Sequence, residues 1–105
     1  MEKLYYTIGE VAAELGENTS LIRFWSNSFP HYLKLQRNAK GNRFYTKDDI
    51  ATLRQIHYLV KVKGLTLDGA EKQLREDRST VDKAARTLES LKAIRKQLVE
   101  VKNLL

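Results

Sequence analysis

From Ser79 to Leu105 the chain has neither proline nor glycine, and its apolar residues recur at Val81, Ala84, Leu88, Leu91, Ile94, Leu98, Val101 and Leu105. The spacings are 3, 4, 3, 3, 4, 3 and 4, an a/d heptad seam with one stammer between Leu91 and Ile94. At 1.5 Å per residue such a helix is about 40 Å long, more than the rest of a small chain can cover. It needs a partner, most simply the same helix of a second subunit, and these eight are the expected dimerisation residues.

What precedes the seam fits one small domain. The whole chain has 105 residues, 42% apolar and 30% charged, within the size of a single domain. Cysteine is absent, which removes disulfides, thiolate metal sites and catalytic thiols together. Two histidines make a poor metal site, so no metal and no cofactor is expected. No nucleophile, base and orienting group can be assembled, and an enzyme is the least supported class. The opening MEKLYYTIGEVAAEL lacks an apolar stretch behind a basic start, and no uncharged apolar run approaches the roughly 20 residues of a membrane span. The expectation is a cytoplasmic protein with no membrane partner.

Charge is the first sign of function. Nineteen Lys and Arg against thirteen Asp and Glu give a net +6, in the range of nucleic-acid binders. Lys34, Arg37, Lys40, Arg43 and Lys47 follow one another with no intervening acid, whereas the last forty residues mix both signs.

Helix caps divide the chain. Thr7 with Glu10, Thr46 with Asp49, and Ser79 with Asp82 fit the capping box, in which hydroxyl and carboxylate satisfy each other's backbone donors. The first opens a short helix with Ile8, Val11, Ala12 and Leu15 on one face, ended by Gly16 as a left-handed cap. After the turn Gly16-Glu17-Asn18, a second helix has Asn18 as N-cap, Ile22 and Trp25 on a common face, and Phe29-Pro30 as its close. Two short helices joined through a glycine turn are a helix-turn-helix candidate. Leu33/Leu35 and Arg43-Phe44-Tyr45 read as two short strands around Asn38-Ala39-Lys40-Gly41-Asn42. A third helix runs from about Thr46 to Lys63 with Ile50, Leu53, Ile56 or His57, and Val60 inward, and stops at Gly64. A fourth, after Thr66, buries Leu67, Ala70 and Leu74.

The second helix divides as a recognition helix must, anchored by Ile22 and Trp25 with Thr19, Ser20 and Arg23 outward. Arginine there can pair bidentately with guanine. The hairpin tip Lys40-Gly41-Asn42-Arg43 offers cations and unpaired backbone amides to phosphates, and Lys61 and Lys63 supply a third basic group. Each alone is more often a solvated surface than a functional one; three in one small domain favour a shared partner. Tyr5, Tyr6, Tyr32, Tyr58, Phe29 and Phe44 are assigned to covering the core, His57 to a structural role and His31 to the surface. Asp48-Asp49 and Glu76-Asp77 are explained by helix electrostatics. Asn18-Thr19-Ser20 fits a glycosylation sequon without a secretion signal to use it.

Thr7-Ile8-Gly9-Glu10-Val11-Ala12, Leu21-Ile22-Arg23-Phe24-Trp25, Gly41-Asn42-Arg43-Phe44-Tyr45, Asp49-Ile50 and Gly64-Leu65-Thr66-Leu67 together resemble the DNA-binding domain of MerR-type transcription regulators, from about Tyr6 to Leu74. The resemblance implies a mostly α fold, a winged helix-turn-helix with a small two-stranded wing, followed by a long helix that dimerises as an antiparallel coiled coil. It implies a homodimer on pseudo-palindromic promoter DNA, of the bacterial type that distorts a promoter spacer so that RNA polymerase can engage it. Thr19, Ser20 and Arg23 match the reading turn, Arg43 and Tyr45 the first wing, and Lys61 a second-wing lysine. Arg37 and Lys40 are added from charge alone; Asn42 comes from the hairpin tip and Lys63 from the end of the third helix.

Departures from the pattern narrow it. The usual tyrosine pair is Phe24-Trp25, so Phe24 keeps its place in the reading turn without a hydroxyl, and Ser26 replaces a common acid. Gly69 stands where a glutamate would complete a capping box with Thr66. With no cysteine after the seam the metal-sensing branch is not expected, and neither is small-molecule sensing through an effector domain. The expected division is residues 1–76 as the DNA-binding domain and 79–105 as the dimerisation helix. Two other readings share these features: an architectural, excisionase-like DNA binder, and a coiled-coil protein-interaction module.

Overall fold

The computed structural model describes residues 4–33 and 36–104, with side chains up to residue 100. In order these form β1 (Tyr6–Thr7), α1 (Ile8–Leu15), α2 (Thr19–Ser28), β2 (Gln36–Arg37), β3 (Arg43–Tyr45), α3 (Lys47–His57), a π-helical turn (Tyr58–Val62) and α4 (Leu67–Leu104). The fold is a winged helix-turn-helix with a long terminal helix.

Local chemistry sets the first half. Thr7 and Glu10 exchange the two bonds of a capping box at 3.2 and 3.0 Å, and Gly16 ends α1 at φ 68°, a left-handed position that only glycine takes at little cost. Asn18 caps α2 through its Oδ1, which accepts from the Leu21 amide at 2.8 Å. Across this turn the His57 Nε2 lies 3.1 Å from Glu17 Oε1, and the His57 ring meets Trp25 edge-on. His57 therefore has the structural role expected of it. Val11, Ile22, Trp25, Leu53, Ile56 and Leu59 are all within 1% of complete burial. Burying an aliphatic side chain contributes about 1.5–3 kcal/mol, against about 1 kcal/mol for a cap, so this core, rather than the caps, fixes which face α2 turns outward.

The sheet departs from expectation. It has three strands in the order β1-β3-β2, all antiparallel, because Tyr6–Thr7 pairs with Tyr45 and Phe44 before the chain enters α1. The first wing strand is Gln36–Arg37 rather than Leu33/Leu35. Leu33 is a core residue, 2% exposed, and Leu35 and Lys34 lie outside the described residues.

The second half holds two further corrections. Helix α3 obeys its capping box, Thr46 with Asp49, but continues as a π turn before Gly64 (φ 72°). Ser79 is not an N-cap. It sits within α4, whose one non-helical residue is Asp77 (φ −152°, ψ 57°), and the Asp82 carboxylate meant to pair with it accepts instead from Gln55 Nε2 at 2.8 Å and from Arg86 Nε at 2.8 Å. Val81, expected to face a partner subunit, is 5% exposed and joins the chain's own core. Ala85 is buried beside it, while Ala84 and Leu88 are half-buried. The seam's first turns close the domain that carries it.

Candidate nucleic-acid interface

On α2 the buried residues are Ile22, Trp25 and Ser26, and the exposed ones are Ser20, Arg23, Phe24 and Asn27. Those four fall at i, i+3, i+4 and i+7, one continuous stripe on a helix. Thr19, in the first turn, is half-buried. Phe24 is 53% exposed, an apolar ring in the middle of a polar stripe.

The wing lies beside this stripe. Arg43 Nη2 donates to Asn27 Oδ1 at 2.8 Å, joining β3 to the last exposed position of α2. Asn27 is absent from the residues expected at the interface, although its place four residues after Arg23 puts it on the same face. Arg23, Arg37 and Arg43, with Asn38 and Asn42, line an open pocket of about 480 Å³ between helix and wing, completed by Thr7, Ile8, Gly41 and Phe44. None of its lining residues is acidic.

Electrostatically the groove is incomplete. Arg37 and Arg43 are direct cross-strand partners, and like charges facing each other across a ladder repel. Arg37 Nη1 donates to the Gly41 carbonyl at 2.9 Å, a neutral acceptor. Arg43 Nη1 is buried and, among the described residues, has no hydrogen-bond partner. Buried donors are ordinarily satisfied, and this one is an exception.

At the wing tip Gly41 takes φ 81°. Lys40 projects into solvent, but the amides beside it are not available, contrary to expectation. Asn38 Oδ1 accepts from the amides of Lys40 and Asn42 at 2.9 and 3.1 Å, and the Asn38 carbonyl accepts from that of Gly41 at 2.9 Å. The asparagine holds the tip rigid, and only the Lys40 and Asn42 side chains remain outward.

Tyr45 also requires correction. Expected to reach DNA from the wing, it is 0% exposed, and its hydroxyl lies 2.9 Å from Ser26 Oγ. Ser26 gives its own hydrogen to the Ile22 carbonyl at 2.7 Å, which makes Tyr45 the donor. Ser26 thus ties the wing to α2. Lys61 and Lys63 are exposed in and after the π turn and do not line the arginine groove. On the distal half of α4, Leu91, Ile94 and Leu98 are more than half exposed, as is Val99, which lies outside the heptad positions. Val101 and Leu105 lie outside the described side chains.

Among the described residues no group of His, Cys, Asp or Glu is placed to hold a metal ion, and no helix is long and apolar enough to cross a membrane. Residues 6–77 match the family described as MerR HTH family regulatory protein, a match that stops at the kinked Asp77. A regulator protein TubY of a Clostridium botulinum C phage is 39% identical over 72 residues, covering 69% of this chain and 30% of that protein. The chain thus spans less than a third of that relative. No solved structure matches it.

Proposed function

The chain belongs to the MerR family of helix-turn-helix regulatory proteins, and we propose that it is a transcription regulator that binds double-stranded DNA sequence-specifically as a homodimer on a pseudo-palindromic promoter site. The observation that carries this reading is the arginine groove, lined by Arg23, Arg37 and Arg43 with no acid among its lining residues, and with Arg37 facing Arg43 across the strands. A phosphate there relieves the repulsion between Arg37 and Arg43. With α2 in the major groove, Arg23 reads guanine, Ser20 and Asn27 flank it, and Phe24 packs on a thymine methyl, the apolar feature of that groove. Thr19 lies at the helix entrance, Lys40 and Asn42 on the wing, Lys61 in the π turn and Lys63 just after it, each within a surface suited to backbone contact.

The second copy is the occupant the distal α4 calls for. Three large apolar side chains more than half exposed on one stripe, Leu91, Ile94 and Leu98, with Val99 exposed beside them, exceed the scattered exposure normal for a monomer, and the heptad spacing of the three matches an identical helix best. Selection of bound sequences from a random duplex pool tests the whole reading. A two-fold-related consensus that outcompetes random duplex is expected, and equal affinity for selected and random duplex refutes it.

A further inference from the structure

The kink in α4 is held by side chains that the arginine groove does not use. One residue after Asp77, Arg78 donates from Nε to Gln55 Oε1 at 3.1 Å and from Nη2 to Thr52 Oγ1 at 2.5 Å. Its guanidinium also lies 5.6 Å from the centre of the Tyr32 ring, in the segment leading from α2 to the wing. One turn further along α4, Asp82 Oδ1 accepts from Gln55 Nε2 at 2.8 Å.

The chemistry of this cluster is specific. Thr52 and Gln55 are 2% and 4% exposed on α3, so both ends of one buried amide engage α4 beyond the kink, the acceptor end taking Arg78 and the donor end taking Asp82. An amide cannot exchange its ends without losing both bonds. Thr52 gives its own hydrogen to the Asp48 carbonyl, leaving its oxygen to receive Arg78. The set therefore fixes both the direction and the rotation with which the distal helix leaves the domain.

We propose that Arg78, with Gln55 and Asp82, is the positioning element that sets the bend at Asp77 and thereby the spacing between the two DNA-reading surfaces of the dimer. The spacing role rests on the DNA-binding dimer reading above; the bend does not. Leverage makes the angle matter. Over a distal helix of about 40 Å, a swing of about 15° moves the far end by about 10 Å, close to a third of the roughly 34 Å between successive half-sites on one face of DNA.

The absence of native cysteine allows nitroxide labels at Lys72→Cys and Lys92→Cys, exposed on either side of the kink. Labelled protein diluted into unlabelled protein reports the distance within one chain, without DNA. A single narrow distance is expected, broadened at least twofold by Arg78→Met and partly restored by Arg78→Lys, which can keep one of the two hydrogen bonds. An unchanged distribution in Arg78→Met overturns the latch. On the selected duplex, the parent protein should favour the native half-site separation at least tenfold over separations one base pair longer or shorter. Arg78→Met should reduce that preference below threefold while leaving affinity for an isolated half-site unchanged. Equal loss at every separation, half-site included, identifies a structural residue and overturns the spacing role. Absence of duplex binding by every variant defeats the DNA reading and the spacing role together, and the label distances still decide the latch.

Discussion

Arg23 and Arg43 sit on the same groove and carry different duties. Arg23 projects from the exposed stripe of α2, so Arg23→Ala should cost about 1–3 kcal/mol of binding and relax base preference at one position of each half-site. Lys61→Ala should weaken all duplexes alike, and competition assays on selected and scrambled sequences separate the two effects. Tyr45 behaves otherwise. Because its hydroxyl serves Ser26 inside the domain, Tyr45→Phe should lower unfolding stability by about 1 kcal/mol and leave the affinity of the folded protein for DNA unchanged. A weaker affinity with unchanged fold stability in that variant would return Tyr45 to the DNA surface.

The elements are legible in the sequence wherever local chemistry decides them. The capping pairs Thr7/Glu10 and Thr46/Asp49, the Asn18 cap and the stops at Gly16 and Gly64 all stand where residue type and spacing place them. At Gly16 the requirement is backbone conformation: φ is 68°, and the space a methyl group would enter is open, so Gly16→Ala should cost about 1–2 kcal/mol in thermal or denaturant unfolding. The misses share a cause. Strand β1 is two residues long and exists only because β3 lies beside it. The Ser79-Asp82 box satisfies the local pattern, but Gln55, 27 positions before Asp82, claims the carboxylate. Tyr45 likewise depends on a contact 19 positions away. Tertiary contact decides these residues, and a spacing pattern carries no record of it.

For the whole molecule, the seam divides along its length. Its start, Val81 with Ala85, closes the chain's own core, while Leu91, Ile94, Leu98 and Val99 are left open on an elongated body 49 Å long and 25 Å thick. Leu98→Asp should therefore convert a dimer to a folded monomer in sedimentation. Val81→Asp buries an unpaired charge and should cost about 3 kcal/mol or more of fold stability. A monomeric parent protein at micromolar concentration would contradict the dimer.

The salt dependence of binding to the selected duplex, measured for the parent protein and Arg43→Met, tests most directly whether the arginine groove grips a phosphate. For a dimer neutralising roughly 6–10 phosphates, log K should fall against log salt with a slope of about −5 to −9, and loss of one phosphate contact per subunit should flatten it by about 2. A parent slope near zero, or a slope that Arg43→Met leaves unchanged, would contradict the account.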